Sequence, residues 1–294
     1  MNKLLLVFIL LLCNLSVLAQ APEPTGSGPY PAAIYSDTSL PTHTIYRPAD
    51  LDALNEAQLP IVVWGNGACV NTNFTYREFL AEIASYGFLV VAIGPYRDAP
   101  APPPDRSGTP EQWPPFETNT GLMIDAINWG LSVSDREGVL FGKVDTDNIA
   151  VMGHSCGGLQ ALEASYDRRV STVLVLNSGL FDDGDPYMQR SSLDRSMLPG
   201  LEVPTGYFIG GETDIAYANA EKDWPLIEVP AVNLNMDVGH GATYQMPGGG
   251  PFAEAPLAWL KWQLKADAEA AAMFLGENCG FCNRDDWSIK KKHL

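Results

Sequence analysis

The sequence predicts an α/β protein, one domain with a mostly parallel central sheet, and three features carry that expectation. Short apolar, β-branched runs recur at 43–46, 60–64, 88–93, 148–152, 171–176, 206–209 and 232–236. Several are apolar at consecutive positions, as strands buried on both faces must be. Helical patterns at 76–85, 121–131, 156–166, 217–223 and 253–265 alternate with them. Strands alternating with helices build a parallel sheet whose crossover helices cover both faces.

Composition narrows the class of protein. The chain has 294 residues, 46% of them hydrophobic, enough to bury a sizeable core and to exclude disorder. It carries 18 Lys and Arg against 35 Asp and Glu, a net charge of −17. Such a charge repels phosphate backbones and anionic lipid, so no nucleic-acid partner is expected.

The N-terminus reads as an export signal. Met1-Asn2-Lys3 is a basic start, an apolar run extends from Leu4 to Leu18, and Val17 and Ala19 are the small residues of a cleavage site. The run is broken by Asn14 and Ser16 and is short for a membrane span. Leu12 before Cys13 is bulky where a lipid-attachment site needs a small residue. The expectation is a signal peptide over 1–19, an irregular leader over 20–41, the α/β domain over 42–275 and a C-terminal tail over 276–294. The mature protein is then secreted or periplasmic, with no membrane anchor after cleavage.

Four cysteines remain after cleavage, Cys69, Cys156, Cys279 and Cys282, and an even count in an exported chain suggests disulfides. Cys279 and Cys282 have the spacing of a redox motif. Such motifs open a helix early in a βαβ unit, however, and this pair lies in the tail, which favours a local staple. A zinc site would need further ligands, and only His293 is near.

Two stretches break the α/β rhythm. Residues 98–116 hold seven prolines and cannot form a regular element. Residues 181–200 are polar and turn-rich. Loops of this kind gather beyond the carboxyl ends of strands, where α/β sheets bind ligands.

The chemistry centres on Gly153-His154-Ser155-Cys156-Gly157-Gly158, which follows the strand 148–152 and opens a helix. This is G-x-S-x-G in the strand–turn–helix setting that exposes a serine hydroxyl at a tight turn. A serine needs a base. Of four histidines, His154 adjoins the serine and points away from its hydroxyl, His43 lies on an early strand and His293 at the end of the chain. His240 remains, in a glycine-lined loop after the last strand. The base needs a carboxylate to hold its tautomer. Asp214, after the strand 206–209, is the candidate, with Glu212 and Asp237 as rivals.

The chain resembles the α/β hydrolases in the neighbourhood of dienelactone hydrolases, cutinase-like polyester hydrolases and platelet-activating-factor acetylhydrolases. The resemblance covers nearly the whole mature chain. It runs through Trp64-Gly65-Asn66-Gly67, Glu82-Ile83-Ala84-Ser85-Tyr86-Gly87-Phe88, the Ser155 turn and Gly210-Gly211-Glu212-Thr213-Asp214. Gly239-His240-Gly241 and the helix around Trp259 and Trp262 continue it. Two positions depart from those relatives: Ser155 stands where dienelactone hydrolases carry cysteine, and Cys156 where polyester hydrolases usually carry methionine.

The resemblance implies an α/β-hydrolase fold, a cofactor-free serine esterase and an oxyanion hole built from the backbone N–H groups of Asn66 and Cys156. With both at one oxyanion, a disulfide between Cys69 and Cys156 would pin the oxyanion loop to the serine turn; the alternative is two buried free thiols. Phe181 and Trp113 are candidate substrate walls or ordinary packing. Asp182, Asp183 and Asp185 resemble a calcium loop, although such carboxylates are commonly just solvated, and no metal is expected. The expected partner is a small-molecule or polymeric ester: polyester, acyl groups on polysaccharide, or a short-chain lipid ester. A lipase, peptidase or thioesterase would use the same triad, and a catalytically silent binding protein is the rival of another class.

Overall fold

A computed structural model describes residues 23–102, 105, 107–109, 112, 114–182 and 193–294. The expected signal peptide, together with Trp113, Asp183 and Asp185, lies outside the described residues.

Nine strands form one sheet in the order β1-β2-β4-β3-β5-β6-β7-β8-β9. The strands are β1 (Ala32–Tyr35), β2 (His43–Pro48), β3 (Leu59–Gly65), β4 (Leu89–Ile93), β5 (Val144–His154), β6 (Thr172–Leu176), β7 (Thr205–Ile209), β8 (Ala231–Asn235) and β9 (Ser288–Lys292). From β4 through β8 every pairing is parallel, while β1, β2 and β9 join antiparallel. The α/β class expected from the sequence is therefore present.

Strand side chains alternate between two cores. Val62, Trp64, Val90, Ala92, Ala150 and Met152 pack with α1 (Arg77–Ser85), α5 (Glu254–Lys265) and α6 (Ala268–Ala272). Ile61, Val63, Leu89, Val91, Ile149 and Val151 pack with α2 (Thr120–Asp135), α3 (Cys156–Ala164) and α4 (Tyr217–Asp223). A strand apolar at every position is thus satisfied on both sides.

Two segments in which the sequence places no strand contribute edge strands. Residues 32–35 of the leader pair with β2, and residues 288–292 of the tail pair with β8. The physical reason is the same at both edges: an exposed strand offers unpaired N–H and C=O groups, and a nearby extended segment satisfies them. Lys290, Lys291 and Lys292 then leave a charged outer edge. Lys292 also donates to the carbonyls of Trp224 and Ile227, at 2.6 and 3.1 Å. Among the described residues no helix is long and apolar enough to cross a membrane.

Candidate active site

Ser155 sits between the end of β5 and the start of α3, in the left-handed region at φ 52°, ψ −119°. A non-glycine residue there is strained and must be held by its surroundings. Its N–H donates to Leu176 at 2.9 Å, and Ser178 Oγ donates to its carbonyl at 2.7 Å. Gly157 is required by close approach: a Cβ there would stand 2.2 Å from the Gly65 carbonyl. That contact brings α3 against the end of β3.

His240 Nε2 lies 3.0 Å from Ser155 Oγ, and His240 Nδ1 lies 2.6 Å from Asp214 Oδ1. With the carboxylate accepting at Nδ1–H, Nε2 carries the lone pair and accepts from the serine hydroxyl. Asp214 is buried. Burial pushes its pKa up, but His240, the N–H groups of Ala216 and Gly210 and the Asn177 amide all donate to it, and together they hold it below the usual carboxylate value. The rivals stand elsewhere: Glu212 and Asp237 are exposed, and Asp237 accepts from Thr213 Oγ1 at 3.1 Å.

The other histidines make different contacts. His43 is buried on β2, 3.0 Å from the Leu122 carbonyl, and burial lowers its pKa to about 4. His293 is exposed at the end of the chain. His154 turns away from Ser155 Oγ, with Nδ1 2.9 Å from Tyr76 Oη and Nε2 2.8 Å from the His240 carbonyl. Burial, followed by the neighbouring His240, pushes its pKa down to about 4.

A cavity of about 630 Å³ opens above Ser155 and His240. Val70, Phe116, Leu159, Phe181 and Ile215 give it largely apolar walls. Phe181, singled out from the sequence, is among them; Phe116, from the proline-rich stretch, was not foreseen.

Asn66 was expected to offer its backbone N–H to the oxyanion. It is fully buried and does not line the cavity. Its side chain accepts from Trp64 Nε1 at 3.0 Å and donates to the carbonyls of Val70 and Ile93, so it braces the loop from beneath. Gly67 and Ala68 line the cavity instead, Ala68 at φ 56°. Spacing alone could not say which residues of this loop line the cavity. Cys156 also lines it, and as the first residue of α3 its N–H has no acceptor within the helix.

Both cysteine pairs are bonded, Cys69 to Cys156 and Cys279 to Cys282, as oxidising compartments allow. The first links the loop after β3 to the serine turn, and the second is the local staple. Asp182 is engaged by Arg195 and Lys222. Among the described residues no group of three potential metal ligands occurs.

Sequence reasoning missed Asn177, Tyr76 and Tyr244. Asn177 donates to Asp214 at 2.7 Å and accepts from Tyr244 Oη at 2.5 Å. No local pattern announces such residues, because their partners lie tens of positions away. No protein-family model matches the chain, and no curated protein matches it.

Proposed function

We propose that this protein is an exported serine hydrolase of carboxylic esters, built on the α/β-hydrolase fold. The observation that carries the proposal is the hydrogen-bonded series Ser155–His240–Asp214, with its serine on a strained strand–turn–helix and its members in the chain order Ser–Asp–His. His240 Nε2 takes the hydroxyl proton as Ser155 Oγ attacks the ester carbonyl. The negative charge moves to the carbonyl oxygen. The Cys156 N–H meets that oxyanion from the start of α3, and the loop after β3 lies across the cavity from it.

Collapse of the tetrahedral species breaks the ester C–O bond, and the imidazolium gives its proton to the leaving alcohol. Water, deprotonated by His240, then attacks the acyl-enzyme, and the acid leaves as Ser155 recovers its proton. Asp214 stabilises the imidazolium through both halves. The apolar walls favour an uncharged, hydrophobic acyl or alcohol group beside the serine.

The test is hydrolysis of p-nitrophenyl esters from acetate to palmitate by the wild type and by Ser155→Ala. Ser155→Ala should lower kcat on the order of 10⁶-fold, and a fluorophosphonate should label Ser155 in the wild type. Undiminished turnover in the folded variant, or a folded wild type that the fluorophosphonate leaves unlabelled, would overturn the proposal.

A further inference from the structure

One buried group beside the site takes no part in the mechanism above. His154 stands with its ring centroid 4.9 Å from that of His240, and both its ring nitrogens are engaged by groups other than Ser155 Oγ. Its two nitrogens face groups that determine their roles. Nε2 faces the His240 carbonyl, which can only accept, so Nε2 carries the proton. Nδ1 of the neutral ring must then accept, and Tyr76 Oη–H supplies it at 2.9 Å. Tyr76 Oη in turn accepts from the Gly67 N–H at 3.1 Å. The result is a single directed series: Gly67 N–H to Tyr76, Tyr76 to His154, His154 to the His240 carbonyl.

We infer that Tyr76 and His154 are positioning residues, forming a bridge that holds the loop carrying Gly67 and Ala68 and the loop carrying His240 at one spacing across Ser155. The inference rests on the hydrolase proposal and extends it to two residues outside the triad. Three further observations support the bridge. Gly67 is compelled by it: a Cβ there would lie 2.3 Å from His154 Nδ1 and 2.6 Å from Tyr76 Oη. The bridge is also packed among aromatic rings. Trp64 and Tyr244 pack on Tyr76 at 4.9 and 5.4 Å between centroids, and Tyr244 packs on His154 at 5.1 Å. Finally, the burial that keeps His154 neutral suits its place, because a second cation there would oppose the imidazolium that forms on His240.

The cavity makes the consequence concrete. Gly67 and Ala68 line one side of it and His240 another. A shift of either loop changes the spacing across Ser155 to the base, while the walls formed by Leu159, Phe181 and Ile215 stand on other parts of the chain. Loss of the bridge should therefore fall on kcat, with little change in KM.

The experiment compares Tyr76→Phe, His154→Gln, His154→Leu and the double variant Tyr76→Phe/His154→Leu. It reads the second-order rate of fluorophosphonate labelling of Ser155, kcat and KM on an ester the wild type cleaves, and the melting temperature. Tyr76→Phe keeps the ring and its packing, and should lower the labelling rate and kcat about 10-fold to 100-fold with KM nearly unchanged. His154→Gln retains an N–H for the His240 carbonyl and should keep more activity than His154→Leu. The double variant should be no worse than His154→Leu, since both changes break one bridge. Folded variants labelled at the wild-type rate, or losses that simply add, would overturn the inference.

A second measurement needs no substrate. Imidazole nitrogen NMR of the wild type should show His154 protonated at Nε2 and unprotonated at Nδ1 from about pH 8 down to about pH 5; a protonated Nδ1 in that range overturns the bridge. A wild type that resists fluorophosphonate but shows this tautomer would refute the hydrolase proposal and leave the bridge standing.

Discussion

The two disulfides of this protein join very different stretches of chain. Cys69–Cys156 links residues 87 positions apart, whereas Cys279–Cys282 spans 3. The long link stands where the backbone is strained: Ala68, Cys69 and Ser155 all have positive φ, and none is glycine. The short link shapes a turn beside β9, where Lys291 Nζ lies 3.4 Å from Cys282 Sγ and donates to the Gly276 carbonyl. Strained backbone persists only where its surroundings over-determine it. The long disulfide is one such constraint, and the buried hydrogen bonds of Asn66 and Tyr76 are others.

The contrast can be broken by removing each link. Cys69→Ser/Cys156→Ser should cost about 4–5 kcal/mol in urea unfolding, because the closed loop is long, and should slow fluorophosphonate labelling of Ser155. A loss no larger than that from the short pair would show that the strained loops stand without their covalent tie.

Acid sharpens the comparison by separating the serine turn from β2, on the far side of β4 and β3 in the sheet. His154 stands beside the long disulfide and His43 on β2, and burial lowers both to about 4 from 6.5. Each folded imidazole binds its proton less readily than the unfolded one, so the stability it contributes is complete above pH 6.5 and is lost as pH falls through about 4. Asp223 runs the other way. Burial raises it from 3.8 to about 6, so its contribution is complete below 3.8 and is lost as pH rises through about 6. Asp214, held below the usual carboxylate value, loses its contribution toward acid as the two histidines do, so against Asp223 the melting temperature should fall toward acid. His43→Gln should flatten that slope without altering the labelling rate of Ser155; an unchanged slope would count against a neutral buried His43.

The smallest effect belongs to the tail. Cys279→Ser/Cys282→Ser should cost about 2 kcal/mol or less, as a short loop requires, with labelling of Ser155 unchanged. A larger loss would mean that the staple holds β9 against β8, and hydrogen exchange of the Leu234 and Ile289 amides would report it.

Much of the fold was legible because its central strands are buried on both sides. Runs such as Ile61–Trp64 and Ile149–Met152 declare themselves without knowledge of their neighbours. Ser-Ile-Lys-Lys-Lys does not, since one isoleucine among four polar residues has no strand signal until the open edge of β8 accepts it. The candidate site divides in the same way. Ser155, Asp214 and His240 were found from a local turn, a scarce residue type and an order along the chain. Which peptides of the loop after β3 line the cavity depends on how the loop turns, and Ala68 at φ 56° leaves no mark in the residues themselves.

By itself the sequence determined the α/β class, the order of the central elements and the three side chains of the proposed triad, because periodicity, tight-turn glycines and elimination act along the chain. Tertiary structure alone decided that the leader and the tail close the sheet, that Cys69 meets Cys156, and that Tyr76, His154 and Asn177 brace the site. Those outcomes depend on distances between residues far apart in sequence, and a hydrogen bond or a disulfide exists only at the separation that packing imposes.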